Sequence, residues 1–320
     1  MASTLRVPHI FAVGGAHIDR RGRMTAEFVA GASIPGTMRE DVGGGTFNAL
    51  RTAVRRGARG TLMSVRGGDG AGMRVAETMA AEGIADASAI FLDRATPSYT
   101  ALLDRDGDVV AALADMDLYD TAFPKQMRRA KIRAELLDAD ALLTDANLPD
   151  AALERLTTAA ANTPVFAIAI SPAKAVRLAG VLPKLSCLFM NRREAAALLA
   201  RAGEAGGDEA VQFVAALRRA GLGRGVISEG ERAVLAFDQS KVWRVVPPKP
   251  RHIADVTGAG DALAGASVAA LLKGMALPEA VREGVAAAHL AIGVETAVPA
   301  FDDKAFESTL TLVPAPTEVA

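Results

Sequence analysis

Short runs of consecutive apolar residues recur along the chain, and from about residue 130 onward they alternate with stretches of helical spacing. The first run covers residues 10–13, and later runs cover 141–144, 165–170, 188–190 and 225–227. Continuous apolar runs of this length are typical of parallel strands that are covered on both faces. The pattern therefore predicts an α/β fold with a mostly parallel central sheet and helices on both faces.

Polar residues follow several of these runs. Ligands of open α/β sheets bind beyond the carboxyl ends of the strands. The residues found there are binding-site candidates: Asp19, Asn147, Asn191 and Ser228.

A β-hairpin signal interrupts the alternation. Residues 99–103 and 109–113 are strand-like and flank the polar turn Asp-Arg-Asp-Gly-Asp at 104–108. Residues 32–41 contain a Pro-Gly turn, which suits a second excursion from the main sheet. We expect a small lid with strands from about 20–42 and 96–118, on one domain spanning 1–312. The Pro-containing tail, 313–320, is expected to be loose.

The stretch at 255–261, Asp-Val-Thr-Gly-Ala-Gly-Asp, is followed by eleven uncharged residues and then by Lys273-Gly274. This pattern predicts a buried helix that begins near Gly258 and ends at Gly274. Small residues and free amides at a helix N-terminus suit an anion such as phosphate, and Asp261 could then act as a base. The alternative is that Asp261 only stabilises the helix start. No Lys-Ser/Thr follows the glycines, so the stretch is not a P-loop.

A second glycine-rich segment, 43–45, precedes Thr46-Phe47-Asn48 and a helical pattern over 49–56. Consecutive glycines let a ligand reach backbone amides, and the Asn48 amide can both donate and accept hydrogen bonds. The alternative is a tight turn with a capping Asn. Gly14-Gly15 does not open a helix directly but leads to Asp19 and a basic loop at 20–23, which argues against a dinucleotide fingerprint.

Composition narrows the function classes. The 320 residues include 36 Lys plus Arg and 37 Asp plus Glu, and 50% are hydrophobic. This balance gives no support for nucleic-acid or membrane-surface binding. The single cysteine, Cys187, lies in an apolar run and is interpreted as an inert core thiol. No long apolar span or signal-peptide pattern is evident, so we expect a cytoplasmic protein.

The stretch 255–261 resembles the C-terminal signature of the ribokinase-like (PfkB) carbohydrate kinases. Gly43, Gly44 and Asn48, with two downstream glycines, resemble the N-terminal signature of the same family. The resemblance implies a ribokinase-like fold and ATP-dependent phosphoryl transfer to an alcohol. It assigns the general base to Asp261 and an anion hole to Gly258, Ala259 and Gly260.

The same resemblance implies roles for the remaining candidates. The acceptor would contact Asp19, Gly43, Gly44, Asn48 and Asn147. The nucleotide would contact Asn191, Ser228, Gly230 and Thr257. Glu194 would help to hold Mg²⁺ through water, and Asp255 with Thr257 could bind a monovalent cation such as K⁺. Two structural alternatives stay open: Asn191 and Glu194 also form a capping-box pattern, and Asp19 could pair with Arg20 or Arg21.

Within the family the chain looks most similar to pseudouridine kinases, in segments that include 14–19, 98–104, 114–117, 145–147 and 191–195. The implied reaction transfers phosphate from ATP to the 5′-hydroxyl of pseudouridine. Phe47 departs from the Arg that those kinases tend to carry there and is expected to alter the pocket beside the sugar. The alternatives are ribose, another simple sugar, a sugar phosphate, or a non-catalytic binding regulator. The lid could also mediate a homodimer.

Overall fold

The computed structural model describes residues 6–207, 209–296 and 298–319. The ends of the predicted domain and tail, residues 1–5 and 320, lie outside the described residues. The strands are β1 (His9–Val13), β2 (His17–Met24), β3 (Gly36–Gly43), β4 (Arg59–Met63), β5 (Val65–Gly67), β6 (Ala85–Asp86), β7 (Ala89–Phe91), β8 (Ser98–Leu103), β9 (Val109–Asp115), β10 (Ala141–Asp145), β11 (Val165–Ile168), β12 (Cys187–Asn191), β13 (Gly225–Ser228), β14 (Val234–Phe237), β15 (Val242–Val245) and β16 (Thr317–Glu318). The helices are α1 (Gly45–Arg55), α2 (Gly70–Ala81), α3 (Asp117–Gln126), α4 (Ala130–Asp138), α5 (Asp150–Ala160), α6 (Pro172–Ala175), α7 (Arg192–Arg201), α8 (Ala210–Arg219), α9 (Ala259–Leu272), α10 (Leu277–Ile292) and α11 (Asp303–Leu310), with a 3₁₀ segment at Val176–Lys184.

The main sheet has ten strands in the order β16-β15-β14-β13-β12-β11-β10-β1-β4-β6. The seven neighbouring strands β6, β4, β1, β10, β11, β12 and β13 are parallel. Strands β14, β15 and β16 extend the sheet beyond β13 in antiparallel pairs. The prediction of a mostly parallel central sheet is therefore confirmed.

Each central strand sends alternate side chains into two cores. Ile10 and Ala12 pack with α1, α2, α9, α10 and α11, whereas Phe11 and Val13 pack on the opposite face with α3 to α8. This two-sided burial explains why the strands are continuously apolar. Cys187 is fully buried, and burial raises the pKa of its thiol to about 12, in agreement with an inert core residue. Among the described helices, none combines the length and apolarity that a membrane crossing requires.

A second sheet, with the order β3-β2-β8-β9, forms the lid. The predicted hairpin is present as β8 and β9, and its turn is held by Asp104 Oδ1, which accepts hydrogen bonds from the amides of residues 106–108. The expectation of a basic loop at 20–23 was wrong, because these residues belong to β2. Strand β2 is paired on both sides, which satisfies its backbone, and two of its arginines, Arg20 and Arg21, bind acidic partners.

The expectation of a loose tail is also corrected. Thr317–Glu318 forms β16, which completes the otherwise unpaired edge of β15. Val313 is buried, and Glu318 pairs with Lys241 at 2.8 Å. Backbone pairing and one buried anchor therefore order a segment whose composition alone suggested none.

Helix α1 begins earlier than its sequence pattern indicated. Its N-cap is Gly44, and the Asn48 amide N–H donates to the Gly44 carbonyl at 2.8 Å. Asn48 therefore lies in the first turn, and the alternative of a capping Asn is excluded. The Asn48 side chain is consequently available for other contacts.

The carboxylate of Asp145, at the end of β10, fixes the start of α1. Its Oδ2 accepts from the amides of Gly15 (3.1 Å) and Thr46 (3.0 Å), and its Oδ1 accepts from the amide of Asn147 (2.9 Å). Asp145 is fully buried. One carboxylate therefore joins the turn after β1, the N-terminus of α1 and the loop after β10.

We predict that Asp145→Ala destabilises the protein by roughly 3–5 kcal/mol, because buried amides would lose their acceptor. Asp150→Ala, an exposed change in the first turn of α5, is the control and should cost below about 1 kcal/mol. Urea unfolding of both variants measures the difference. Equal midpoints would contradict the role given to Asp145.

Candidate active site

A cavity of 610 Å³ lies between the carboxyl ends of the main-sheet strands and the lid. Its size suits a small-molecule ligand. The sequence-predicted candidates that line it are Asp19, Gly44, Asn48, Asn147, Asn191, Glu194, Ser228, Thr257, Gly258, Gly260 and Asp261. The candidates Gly43, Ala259, Gly230 and Asp255 are not among the described lining residues.

Helix α9 points its N-terminus into the cavity. Gly258 is the N-cap and adopts a left-handed conformation (φ 79°), which a residue with a side chain would adopt only with strain. The Ala259 amide donates to the Val256 carbonyl over 3.4 Å, so part of its capacity is used within the turn. The first-turn amides of Gly260 and Asp261 have no acceptor within the helix, and with the helix dipole they favour an anion here.

The Asp261 carboxylate lies beside this anion site. Asn48 Nδ2 donates to Asp261 Oδ2 at 3.0 Å, which links α1 to α9. Desolvation by the surrounding protein raises the pKa of Asp261 to about 7, and the carboxylates of Asp145, Asp19 and Glu194 add to the rise while the Asn48 hydrogen bond opposes it. A carboxylate with a pKa near neutrality is suited to accepting a proton.

Asp19 faces the same cavity from β2. Its Oδ1 lies 3.2 Å from Nε2 of His17, while Arg20 pairs with Glu40 and Arg21 with Asp255. The alternative that Asp19 pairs with Arg20 or Arg21 is therefore wrong. A side chain at Gly43 would collide with the Asp19 carboxylate, so Gly43 makes room for Asp19 without lining the cavity itself.

A buried tyrosine orients His17. Nδ1 of His17 lies 3.1 Å from the hydroxyl of Tyr119, which also accepts from the Ala16 amide at 3.0 Å. Burial raises the pKa of Tyr119 well above its usual value, so the phenol stays neutral. The chain of contacts from Tyr119 through His17 holds Asp19 in one orientation.

Two asparagines in the cavity wall each have one buried side-chain atom that is not used in a hydrogen bond within the described residues. Asn48 Oδ1 and Asn147 Nδ2 are buried without a hydrogen-bond partner in the described part of the chain. Asn147 Oδ1 accepts from Lys174 Nζ at 2.5 Å, and burial lowers the pKa of Lys174. Because buried polar atoms are normally paired, these two atoms are suited to a polar ligand in the cavity.

Asn191 and Glu194 form a complete capping box at the start of α7. The Glu194 amide donates to Asn191 Oδ1 at 2.9 Å, and the Asn191 amide donates to Glu194 Oε2 at 2.7 Å. Both residues also line the cavity, and burial raises the pKa of Glu194. The predicted capping box is therefore present, and Glu194 still faces the cavity.

The end of the cavity beyond β13 contains Ser228, with Gly230 two residues further on in a left-handed conformation (φ 57°). Within residues 6–207, 209–296 and 298–319, no group of three acidic, His or Cys side chains could hold a metal ion. Mg²⁺ commonly binds through one or two carboxylates, waters and substrate phosphates. Glu194 fits that limited role.

Asp255 does not fit the cation role expected from the sequence. Its Oδ2 accepts from Arg21 Nη1, and its Oδ1 accepts from the Thr257 amide at 2.9 Å. Asp255 therefore already has a cationic partner, and K⁺ bound to the same carboxylate would be repelled by the guanidinium.

Phe47, expected to alter the pocket, is fully buried in the core on the α9 side of the sheet and lies 5.3 Å below the Arg51 guanidinium. It is not among the described residues that line the cavity. Any effect of Phe47 on the pocket must therefore be indirect.

Besides His17 and Tyr119, sequence reasoning did not single out Asp145, Lys174 and Ile170, which also shape the site. Asp145 could have been recognised, because it is a polar residue at the end of an apolar run. Lys174 lies in a helix too short to show a periodic sequence pattern. Ile170 has a left-handed backbone (φ 70°), a strain of about 1–3 kcal/mol, and its side chain contacts Gly45 in the cavity wall. No sequence rule identifies such a conformation for a β-branched residue.

Comparison with known proteins agrees with this arrangement. Residues 8–303 match the pfkB family carbohydrate kinase domain. Pseudouridine kinase of Escherichia coli (strain K12) is 27% identical over 289 residues, which cover 90% of this chain and 91% of that protein. A carbohydrate kinase structure from Agrobacterium tumefaciens has a TM-score of 0.86 and 42% identity, covering 98% of this chain and 100% of that chain. Arabidopsis thaliana ribokinase complexed with ribose and ATP has a TM-score of 0.82 and 20% identity, covering 95% and 99%.

The chain belongs to the pfkB family of carbohydrate kinases. Its fold is ribokinase-like, as the sequence predicted. It is a phosphotransferase that acts on an alcohol group of a sugar or nucleoside.

We predict that Asp261→Asn lowers kcat by roughly 10²–10⁴, because the acceptor hydroxyl would lose its base. In the unmodified enzyme, kcat should rise with pH through about 7, as Asp261 loses its proton. Steady-state kinetics from pH 5.5 to 9 measures both effects. A near-normal kcat in the variant, with the chemical step limiting, would remove Asp261 from the mechanism.

We also predict that Asp261→Asn makes the protein more heat-stable at pH 8. The pKa of Asp261 is raised on folding, so the native state binds the proton more tightly and its stability falls as pH rises from about 4 to 7. The gain in Tm over the unmodified protein should therefore be small at pH 5 and larger at pH 8. A gain that is the same at both pH values would contradict the pKa shift.

Proposed function

We propose that this kinase transfers the γ-phosphoryl group of ATP to the 5′-hydroxyl of pseudouridine or a closely similar nucleoside. The observation that carries the proposal is the Asn48–Asp261 hydrogen bond at the N-terminus of α9, in the cavity that also contains Asp19. A base, an anion site and an acceptor for sugar hydroxyls then surround one space. Phosphoryl transfer needs mainly such positioning and charge stabilisation.

In this proposal the acceptor lies beneath the lid. The Asp19 carboxylate accepts hydrogen bonds from ring hydroxyls, and Asn48 Oδ1 and Asn147 Nδ2 complete their unused hydrogen bonds on the same molecule. Gly44 allows the acceptor to approach the start of α1, and Gly43 makes room for the Asp19 carboxylate. The 5′-hydroxyl then faces Asp261, which takes its proton as the phosphoryl group arrives.

The nucleotide lies at the opposite end of the cavity. Ser228, Gly230, Thr257 and Asn191 contact ATP. Glu194 would help to hold Mg²⁺, which would supply positive charge to neutralise the phosphates. The amides of Gly258, Ala259 and Gly260 stabilise the moving phosphoryl group, with the weaker share from Ala259, whose N–H also donates to Val256.

The assignment of pseudouridine is supported by the 27% identity to the Escherichia coli pseudouridine kinase over nearly the full length of both chains. Phe47 is buried away from the cavity lining, so its side chain does not obstruct the acceptor. Lys174 adds a donor that suits a carbonyl oxygen of a base. Ribose or another simple sugar is the second candidate, because the Arabidopsis ribokinase complexed with ribose and ATP shares the fold.

The lid also supports the proposal of a homodimer. Edge strand β9 exposes Val109, Ala111 and Leu113, with Leu113 exposed over 70% of its surface. Exposed apolar edge strands tend to pair with another chain. Light scattering after size exclusion tests this, and a monomer at assay concentrations would contradict it.

An ATP-consumption screen tests the acceptor. Pseudouridine, uridine, cytidine, ribose and fructose phosphates are compared under the same Mg²⁺ and ATP conditions. We expect the highest kcat/KM with pseudouridine. Turnover of ribose alone would transfer the assignment to the second candidate, and the Asp261→Asn variant controls for contaminating kinases.

We predict that Asp19→Ala raises KM for the acceptor at least about 10-fold while leaving KM for ATP within about twofold, since each lost hydrogen bond to a charged group is worth roughly 1.5–3 kcal/mol. The matched control is Asp41→Ala, which removes a carboxylate from the neighbouring position on β3. Equal increases in both KM values would place Asp19 outside the acceptor pocket.

A further inference from the structure

We infer that the Arg21 guanidinium takes the place of a bound monovalent cation at Asp255. The same ion pair connects the lid to the loop that precedes the anion site. The inference deepens the proposed function, since it concerns the loop that leads into the phosphoryl-transfer site. Arg21 is accordingly a positioning residue that acts through Asp255.

The connection from lid to helix is short. Arg21 lies on β2, which is hydrogen-bonded to both β3 and β8 and is thus held firmly within the lid. Its Nη1 donates to Asp255, and the other oxygen of Asp255 fixes the Thr257 amide at 2.9 Å. Gly258, the N-cap of α9, follows directly. A movement of β2 is therefore transmitted to the residues that precede the anion site.

Partial burial strengthens the ion pair between Arg21 and Asp255. The side chains of Arg21 and Asp255 are 21% and 23% exposed, so both charges are largely removed from water. A partly desolvated ion pair is less screened than one on the surface. Removing the guanidinium would leave the carboxylate, as far as the described residues show, with the Thr257 amide as its partner.

A second contact lies along the same boundary between lid and body. Arg39, opposite Arg21 in the β2–β3 register, donates to the backbone oxygen of Glu295 at 2.5 Å and lies 3.2 Å from its carboxylate. The Ala254 amide donates to the Ile292 carbonyl at 2.8 Å, which holds the Asp255 loop against the end of α10. Two lid arginines therefore contact the region where loop 254–257 meets the segment after α10.

The chemistry at Asp255 distinguishes the two kinds of cation. A K⁺ ion bound to Asp255 would lie next to the Arg21 guanidinium, whose positive charge repels it and already neutralises the carboxylate. Arg is always charged and cannot dissociate from the chain. The enzyme should consequently need no added monovalent cation to order this loop.

The test compares the unmodified enzyme with Arg21→Ala, Arg21→Lys and Arg23→Ala in K⁺, Na⁺ and tetramethylammonium chloride at equal ionic strength. Arg23→Ala is the matched control, because Arg23 lies on the same strand and its side chain, within the described residues, donates to the Arg105 carbonyl in the lid turn. Tm is measured without acceptor and kcat with the best acceptor. ATP binding is followed separately by titration.

We expect the unmodified enzyme to have the same Tm in all three salts and kcat values within about twofold. Arg21→Ala should lose kcat on the order of 10-fold or more through misplacement of the anion site, with ATP binding largely retained. Arg21→Lys should recover part of that loss, and Arg23→Ala should resemble the unmodified enzyme.

Two results would overturn the inference. One is a K⁺-specific rise in Tm or kcat of the unmodified enzyme, which would show a separate cation site. The other is an Arg21→Ala variant that matches Arg23→Ala in every measurement. If no acceptor is turned over, the proposed function fails, while the Tm comparison among salts still decides whether Arg21 takes the place of a bound cation.

Discussion

The site depends on the buried carboxylate of Asp145. It gathers amides from the turn after β1, the start of α1 and the loop after β10. The turn leads directly into β2, which carries Asp19, and the other two segments carry Asn48 and Asn147; these three residues surround the acceptor space in the proposed mechanism. An apolar residue at this position would leave several buried amides without an acceptor. One charge thus sets the relative position of groups that lie far apart in the sequence.

The carboxylates of Asp145, Asp19 and Glu194 disfavour the ionised form of Asp261. Enclosure and the nearby carboxylates raise its pKa to about 7, which opposes the stability of the folded protein at alkaline pH and suits a proton acceptor. Asn48 limits the rise through its hydrogen bond. The reactive group is therefore held in a state that favours chemistry over stability, as active sites commonly are.

The lid contributes charge as well as cover. Its central strand carries Asp19 toward the acceptor space and Arg21 toward the loop before α9. Side chains two residues apart on a strand point to the same face, so β2 directs both residues toward the body of the protein. The position of the lid and the geometry of the anion site are consequently coupled through the Arg21–Asp255 contact.

The sequence by itself determined the alternation of strands and helices, the lid hairpin, the α9 helix with its glycine mouth, and the identity of most cavity-lining candidates. These features are local, because apolar runs, turn residues and helix caps are written in neighbouring positions. The tertiary structure decided what depends on distant partners. It placed Asn48 against Asp261, turned the basic segment at 20–23 into a paired strand, ordered the C-terminal strand on β15, removed Phe47 from the cavity, and engaged Asp255 with Arg21. No sequence pattern carries such contacts, because each requires two segments to meet in space before either side chain has a defined environment.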